Sequence, residues 1–405
     1  MNSRAVAVII SGFFTLFTAF AIRYAYGLLL PYMLSSLAIS KTEAGIIYSS
    51  YFITCTILAP VFGLLADRSD ARIILTIFVA ILGLGAFLMS YSASVVQASL
   101  FFALTGIGHS ACWAPVVTIV QRWVSEKRRG FILSIVDLGS TSGIAVWSIA
   151  IPLIIGVYSW RTVWISLGIS TLLVAGMNFF LIKSHPPSES GSQIPRATPT
   201  TRTPIKESYK EILRDSKFHL IGLSYLLISF TILIPFTFLT TYAVQELMIS
   251  YQSATGLVAV IAVSGVVGKL VLGHISDSVG RIRIMMLCGV LTATGGLGLA
   301  YSHGFFTLLL FTVIFGAGYG TIWPVYAASA RDLFSKDISG TIVGLWSLYH
   351  GLGSVISPVI SGWTIDATGS YFWAFILAMV SGIMSFLILL PLPNKASGRA
   401  KKQHS

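Results

Sequence analysis

Apolar runs of about 20 residues recur along the whole 405-residue chain, each long enough to cross a ~30 Å hydrocarbon core as a helix. The pattern predicts twelve spans, at 7–34, 43–65, 73–92, 95–121, 131–156, 161–182, 218–243, 251–275, 283–301, 304–328, 341–364 and 371–391. Composition agrees: 55% of residues are hydrophobic and 10% are charged. A soluble chain of this length would carry far more polar surface, so lipid is the main solvent. Glycine is frequent inside the spans, and in lipid that marks close helix packing.

The net charge is +12, a value that invites a nucleic-acid reading. The cations, however, cluster in short loops between apolar runs, which is topogenic charge and excludes a nucleic-acid groove. Of the 26 Lys and Arg residues, Arg23 and Lys269 lie within spans, and Lys41 and Arg161 fall on one face. The rest occupy the alternate loops and the tails, including Arg68, Arg72, Arg122, Lys127-Arg128-Arg129, Arg281, Arg283 and the stretch from Lys395 to Lys402. This bias puts both termini in the cytoplasm, as an even number of spans requires, in a multi-pass protein of the cell (inner) membrane. The N-terminus mimics a signal peptide, with Arg4 and Ala19-Phe20-Ala21, but its apolar run is too long and continues through Leu28-Leu29-Leu30. It reads as a retained first span.

Cys55, Cys112 and Cys288 lie far apart inside apolar runs, with neither metal-ligand spacing nor a disulfide framework, so they read as small buried hydrophobes. Between spans six and seven, PPSESGSQIPRATPTTRTPIK is a flexible linker that turns charged and amphipathic from Glu207. The organisation is an N-terminal six-helix half (1–183), a cytoplasmic linker (184–217), a C-terminal half (218–394) and a tail (395–405).

The halves repeat. At a constant offset of 210 residues, Gly63 matches Gly273, Asp67 matches Asp277, Gly85 matches Gly295, and Tyr91-Ser92 match Tyr301-Ser302. Gly106, Gly108, Trp113, Gly130 and Gly143 match Gly316, Gly318, Trp323, Gly340 and Gly353 in the same register. A six-span internal repeat is the signature of a transporter whose halves rock around a midplane site. After span two the loop reads GLLADRSDAR, and after span eight GHISDSVGR. Gly63 and Gly273 are expected to let helices approach closely. Asp67 with Arg68, and Asp277 with Gly280 and Arg281, are expected to form a cytoplasmic latch, joined by Arg72, that breaks as the halves rock.

These loops resemble the Gly-x-x-x-Asp-Arg-x-Gly-Arg-Arg signature of the major facilitator superfamily, with Asp70 and Ala71 standing where the pattern has Gly and Arg. The resemblance covers essentially the whole chain and implies an all-α membrane protein of twelve transmembrane helices in two pseudo-symmetric halves. Several stretches resemble monocarboxylate transporters and oxalate–formate exchangers: RWVSEKRRG after span four, Ser159-Trp160-Arg161 before span six, VGKLVLGHISD in span eight and LYHGLGSVISP in span eleven. By that resemblance Lys269 stands at the position of a substrate-carboxylate Arg, and His350 where the oxalate exchangers carry Lys and some lactate carriers His. Arg23-Tyr24-Ala25-Tyr26-Gly27 through Pro31 is similar to the first span of related bacterial permeases.

Charges inside a bilayer are costly, roughly 2.5–3.5 kcal/mol each at mid-depth, so each is a functional candidate. Arg23, His109, Lys269 and His350 fall in the middle portions of spans one, four, eight and eleven, and Asp137 lies in span five. Lys269 binds a carboxylate or snorkels to the interface. Arg23 binds a carboxylate or bonds within its own helix. His350 and His109 are substrate ligands or satisfied imidazoles of a packed interior. Asp137 carries a proton or pairs with Arg68 or Arg72. Tyr319 and Trp323 face the cavity, whereas Trp113 packs among its neighbours.

The excess of cations implies a small organic anion as substrate, a monocarboxylate carried by proton symport through alternating access, with Asp137 or His350 as the proton carrier. Such a protein works as a monomer in the bilayer without cofactor or metal. An anion exchanger of the oxalate–formate type and a metabolite or drug efflux permease are the alternatives within transport. An intramembrane enzyme is a rival class, because Gly108-His109-Ser110-Ala111-Cys112 approaches Gly-x-Ser-x-Gly, but it ends in Cys and falls inside an expected helix. A receptor with this fold would need a long signalling domain, which is absent from the sequence.

Overall fold

Twelve helices long and apolar enough to cross a membrane make up the computed structural model, which describes residues 3–68, 70–125, 128–183, 212–334 and 338–392; nothing is described of the side chains of 62–68. Spans one to three are Ser3–Leu37, Lys41–Arg68 and Ala71–Met89. Span four comprises Val95–Ser110 and Trp113–Trp123; spans five and six are Arg129–Ile155 and Trp160–Leu181. Spans seven to twelve are Ser216–Gln245, Tyr251–Val279, Arg281–Ala300, Phe305–Leu333, Ser339–Thr368 and Phe372–Leu389. The helices outrun their apolar cores where polar sequence continues the hydrogen-bond ladder, as in span ten, which runs to Leu333 past the expected 328.

Side-chain caps begin several spans. Asp70 accepts from Arg72 N at 3.0 Å at the start of span three, and Asp215 from Lys217 N at 2.8 Å at the start of span seven. Gly280, at φ 104°, turns the chain between spans eight and nine in a conformation that a side chain would resist.

Span four differs from expectation. Its helix stops at Ser110 and resumes at Trp113. Pro115 lacks the N–H that would bond the Ala111 carbonyl, and its ring crowds that carbonyl, so the ladder breaks there. The Gly108–Cys112 stretch therefore crosses a helix break instead of lying within one helix.

The repeat is visible in the packing. A Cβ on Gly106 would strike Tyr51 and Thr54, and one on Gly316 would strike Ile261 and Ser264; both pairs of neighbours stand 210 residues apart. Gly85 meets Thr105 and Gly295 meets Phe315 in the same register. Two equivalent six-helix halves result, with span seven the most buried and spans one and nine next.

The halves close on each other at the face away from the termini. Gly27 lies against the Phe236 carbonyl, Gly45 against Pro358 and Gly362 against Lys41, so close that a Cβ at any of them would overlap backbone. Asp366 of span eleven accepts from Lys41 N at 3.1 Å, from Thr42 N at 2.8 Å and from Thr42 Oγ1 at 2.6 Å, capping the start of span two from the opposite half. Ser49 Oγ donates to the Val355 carbonyl at 2.6 Å, and Tyr251 Oη to the Leu28 carbonyl at 2.8 Å.

The described cations of the loop signatures bond within their own halves. Arg281 bonds Asp277, Ser276 and Asp332, all within the second half. Arg72 donates to the Phe179 carbonyl and stacks over the Phe179 ring, joining spans three and six of the first half. Among the described residues these bonds brace each half. Among the same residues none lies close to Gly273. The side chains of Asp67 and Arg68, the linker from 184 to 211 with its stretch from Glu207, and the tail from 395 lie outside the described residues.

Candidate substrate-binding cavity

Beneath the closed face a cavity of about 510 Å³ separates the halves, within the size range of small-molecule sites. Spans one, four, five, seven, eight, ten and eleven supply its wall. Its roof is the hydrogen bond of 3.2 Å shared by Tyr24 Oη and Tyr319 Oη, one tyrosine from each half. Phe236 wedges beside both rings, at centroid distances of 4.2 and 4.9 Å.

Among the described residues, Arg23, Asp137 and Lys269 are the charged ones of the lining. Lys269 Nζ donates to Asp137 Oδ2 at 2.6 Å, joining span eight to span five across the interface between the halves. Asp137 stands eight residues into span five and Lys269 ten residues from the end of span eight, depths of about 12 and 15 Å from the termini face at 1.5 Å per residue. Sequence reasoning offered Arg68 or Arg72 as the partner of Asp137; the partner is Lys269. Ser140 Oγ donates to the Asp137 carbonyl at 2.6 Å and lies 3.4 Å from Oδ1.

Arg23 is in a different situation. It is 8% exposed, and its guanidinium carbon lies 4.9 Å from the Phe52 ring centroid and 5.2 Å from that of Tyr24. Cation–π attraction holds it in place, yet Nε and Nη2 have no hydrogen-bond partner. A buried guanidinium with two nitrogens unpaired is costly unless an anion arrives to satisfy them. With Lys269 neutralised by Asp137, Arg23 is the uncompensated charge of the cavity.

His109, at the end of the first helix of span four, lies between the Phe20 and Tyr51 rings at 5.3 and 5.5 Å, and its Nδ1 is unpaired. Trp113 lines the cavity, although the sequence reading packed it away; the break at Ala111–Cys112 re-aims it, and Pro115 two residues on was the available signal. Tyr319 and Trp323 line the cavity as expected. His350 stands one layer back, behind Trp323 and Tyr225 at ring distances of 5.8 and 4.9 Å, with Nε2 unpaired. Cys112 also borders the cavity, whereas Cys288 is packed away and Cys55 is partly exposed.

The family model described as Major Facilitator Superfamily matches residues 12–302 and 221–405. The chain is 23% identical to a hexuronate transporter of Bacillus subtilis (strain 168), over 93% of this chain and 92% of that protein. It is 24% identical to monocarboxylate transporter 12-B of Danio rerio, over 86% of this chain and 79% of that protein. Among solved structures, the nucleoside transporter NupG superposes with a TM-score of 0.77 at 15% identity, covering 97% of this chain and all of that one. A bacterial homologue of the human lysosomal transporter Spinster, in an inward-facing and unoccupied conformation, superposes with a TM-score of 0.75 at 15% identity and covers 96% of both chains.

Proposed function

The chain belongs to the Major Facilitator Superfamily, a family of transporters and not of enzymes, and we propose that it carries a small organic anion, a monocarboxylate, in symport with one proton. The observation that carries this reading is the Arg23 guanidinium, with Nε and Nη2 unpaired, lining the same cavity as the Asp137–Lys269 pair. Two relatives named for hexuronate and monocarboxylate support an organic carboxylate as cargo.

Charge conservation supports the coupling. With Arg23 and Lys269 positive and Asp137 negative, the empty cavity holds one net positive charge. One bound carboxylate together with one proton on Asp137 restores that same charge. The anion alone or the proton alone changes it, which a low-dielectric site between moving halves disfavours. A carrier whose loaded and empty forms share one charge moves the anion without working against the membrane potential, which otherwise costs about 2.3 kcal/mol per 100 mV.

In this reading Arg23 receives the carboxylate, while Asp137 takes the proton and releases Lys269. The bond between the halves at the cavity then loosens, and the contacts at the far face part. Residues 1–183 and 218–394 rock as units joined by the linker, in the cell inner membrane with both termini cytoplasmic, so the closed face is the outer one. His350 acts through Trp323, and His109 lies beside the Arg23 pocket.

The test is uptake into proteoliposomes from a panel of radiolabelled monocarboxylates, with and without an imposed inward proton gradient. Uptake that rises with the gradient is expected. Uptake that ignores it and requires internal anion would make the protein an exchanger.

A further inference from the structure

We infer that the transported monoanion has a flat, apolar body, that is, an aromatic monocarboxylate and not a sugar acid or a dianion. The inference rests on the anion reading above and adds the substrate's shape to it. Charge sets the first limit: Lys269 is engaged by Asp137 at 2.6 Å until that carboxylate takes the proton, so Arg23 is the cation that first meets the substrate. A dicarboxylate entering with the one proton on Asp137 would bring two negative charges against one positive, and the loaded and empty cavities would no longer share one charge.

The second limit is hydrogen bonding. A substrate with several hydroxyls needs several free partners, since each buried hydroxyl left unpaired is costly. Several polar groups of the wall are engaged inside the protein, although His109 Nδ1 is not. Tyr319 bonds Tyr24 at 3.2 Å, Tyr326 bonds Ser224 at 2.7 Å, and Ser134 donates to the Gly130 carbonyl at 3.0 Å. Ser140 donates to the Asp137 carbonyl, and Trp346 Nε1 to the Phe218 carbonyl at 2.9 Å.

What the wall does offer is ring faces. Phe20 and Trp113 come from the first half, and Trp323 and Tyr225 from the second, all bordering the same cavity as Arg23. Trp113 is 49% exposed, an unusually open position for an aromatic ring between packed helices. Rings contributed by both halves beside one guanidinium match a planar apolar acid. Volume permits this, because a single-ring acid is well below 510 Å³ and leaves the cavity room to close.

The test is binding to the purified full-length protein, read by tryptophan fluorescence and calorimetry, with phenylacetate, lactate, glucuronate, succinate and neutral phenethyl alcohol. Phenylacetate should bind at least about tenfold more tightly than glucuronate or succinate, the scale of a favourable aromatic contact. Trp323→Ala should weaken phenylacetate more than it weakens lactate, while Trp323→Phe retains both. Tightest binding of glucuronate or succinate, lost in Arg23→Gln, would overturn the aromatic inference and keep the anion site. Binding of phenethyl alcohol as tight as phenylacetate, unaffected by Arg23→Gln, would overturn the anion reading and this inference with it.

Discussion

Lys269 and Asp137, 132 residues apart in sequence, meet at 2.6 Å across the boundary between the two halves, each with about a third of its side chain or less exposed to the cavity. The pair is therefore both an electrostatic element of the site and a physical tie between the parts that must move. Lys269→Gln would leave a partly buried carboxylate unpaired. We expect it to abolish gradient-driven transport and to lower thermal stability, and Lys269→Gln with Asp137→Asn to regain the stability but not the transport. A double-mutant cycle in denaturant should give a coupling of about 1–3 kcal/mol, discounted from that of a fully buried pair because both groups touch water. Additive single effects would show that the two side chains do not depend on each other.

Arg23→Gln removes the guanidinium whose Nε and Nη2 are unpaired. Binding of the carried anion should weaken by roughly 10- to 100-fold, the value of a charge-assisted hydrogen bond. Arg23→Lys should recover part of it, because Lys restores the charge without the planar fork. The protein should fold as well or better with Gln, which calorimetry in the absence of ligand would establish.

Asp366 holds the first turn of span two from the opposite half through three hydrogen bonds. Asp366→Ala should shift the population toward the form open at the far face by about 1 kcal/mol, the scale of an exposed helix cap. Spin labels at Ala93 and His303, which stand 210 residues apart in the two halves, should report a longer and broader distance distribution.

Gly27 touches the Phe236 carbonyl where the halves close. Gly27→Val should block that closure while leaving each half intact, since the clash lies between the halves. The same pair of labels should then sit at the open distance with or without substrate, and uptake should fall to background.

The twelve spans were legible because lipid imposes one length and one polarity on any helix that crosses it, and the 210-residue repeat was legible because close packing keeps glycine at equivalent contacts. The positions of Arg23, His109 and Lys269 were legible for the same reason: charge and imidazole stand out in an apolar run. The Lys269–Asp137 partnership was not. The repeat sets Ser347 opposite Asp137 and Ala59 opposite Lys269, so no internal symmetry marks the pair, and no local spacing links span five to span eight. Trp113 was misjudged because hydropathy carries span four across Ala111 without a gap, while the backbone breaks there for want of one N–H at Pro115. The reach of the loop arginines was also hidden. Arg281 and Arg72 satisfy acceptors within their own halves, a choice set by helix ends that composition does not reveal.

Asp137→Asn separates the two roles assigned to the cavity, and it tests the account most directly. Asparagine keeps the size of the side chain but can neither carry the proton nor hold Lys269 as an ion pair. Proteoliposomes bearing the wild type and Asp137→Asn should be compared in two modes: uptake of labelled anion driven by an imposed proton gradient, and counterflow against the same unlabelled anion with no gradient. The account predicts that Asp137→Asn loses gradient-driven uptake and retains counterflow, because binding through Arg23 and rocking of the halves survive while the proton site is gone. Gradient-driven uptake by Asp137→Asn equal to that of the wild type would contradict it.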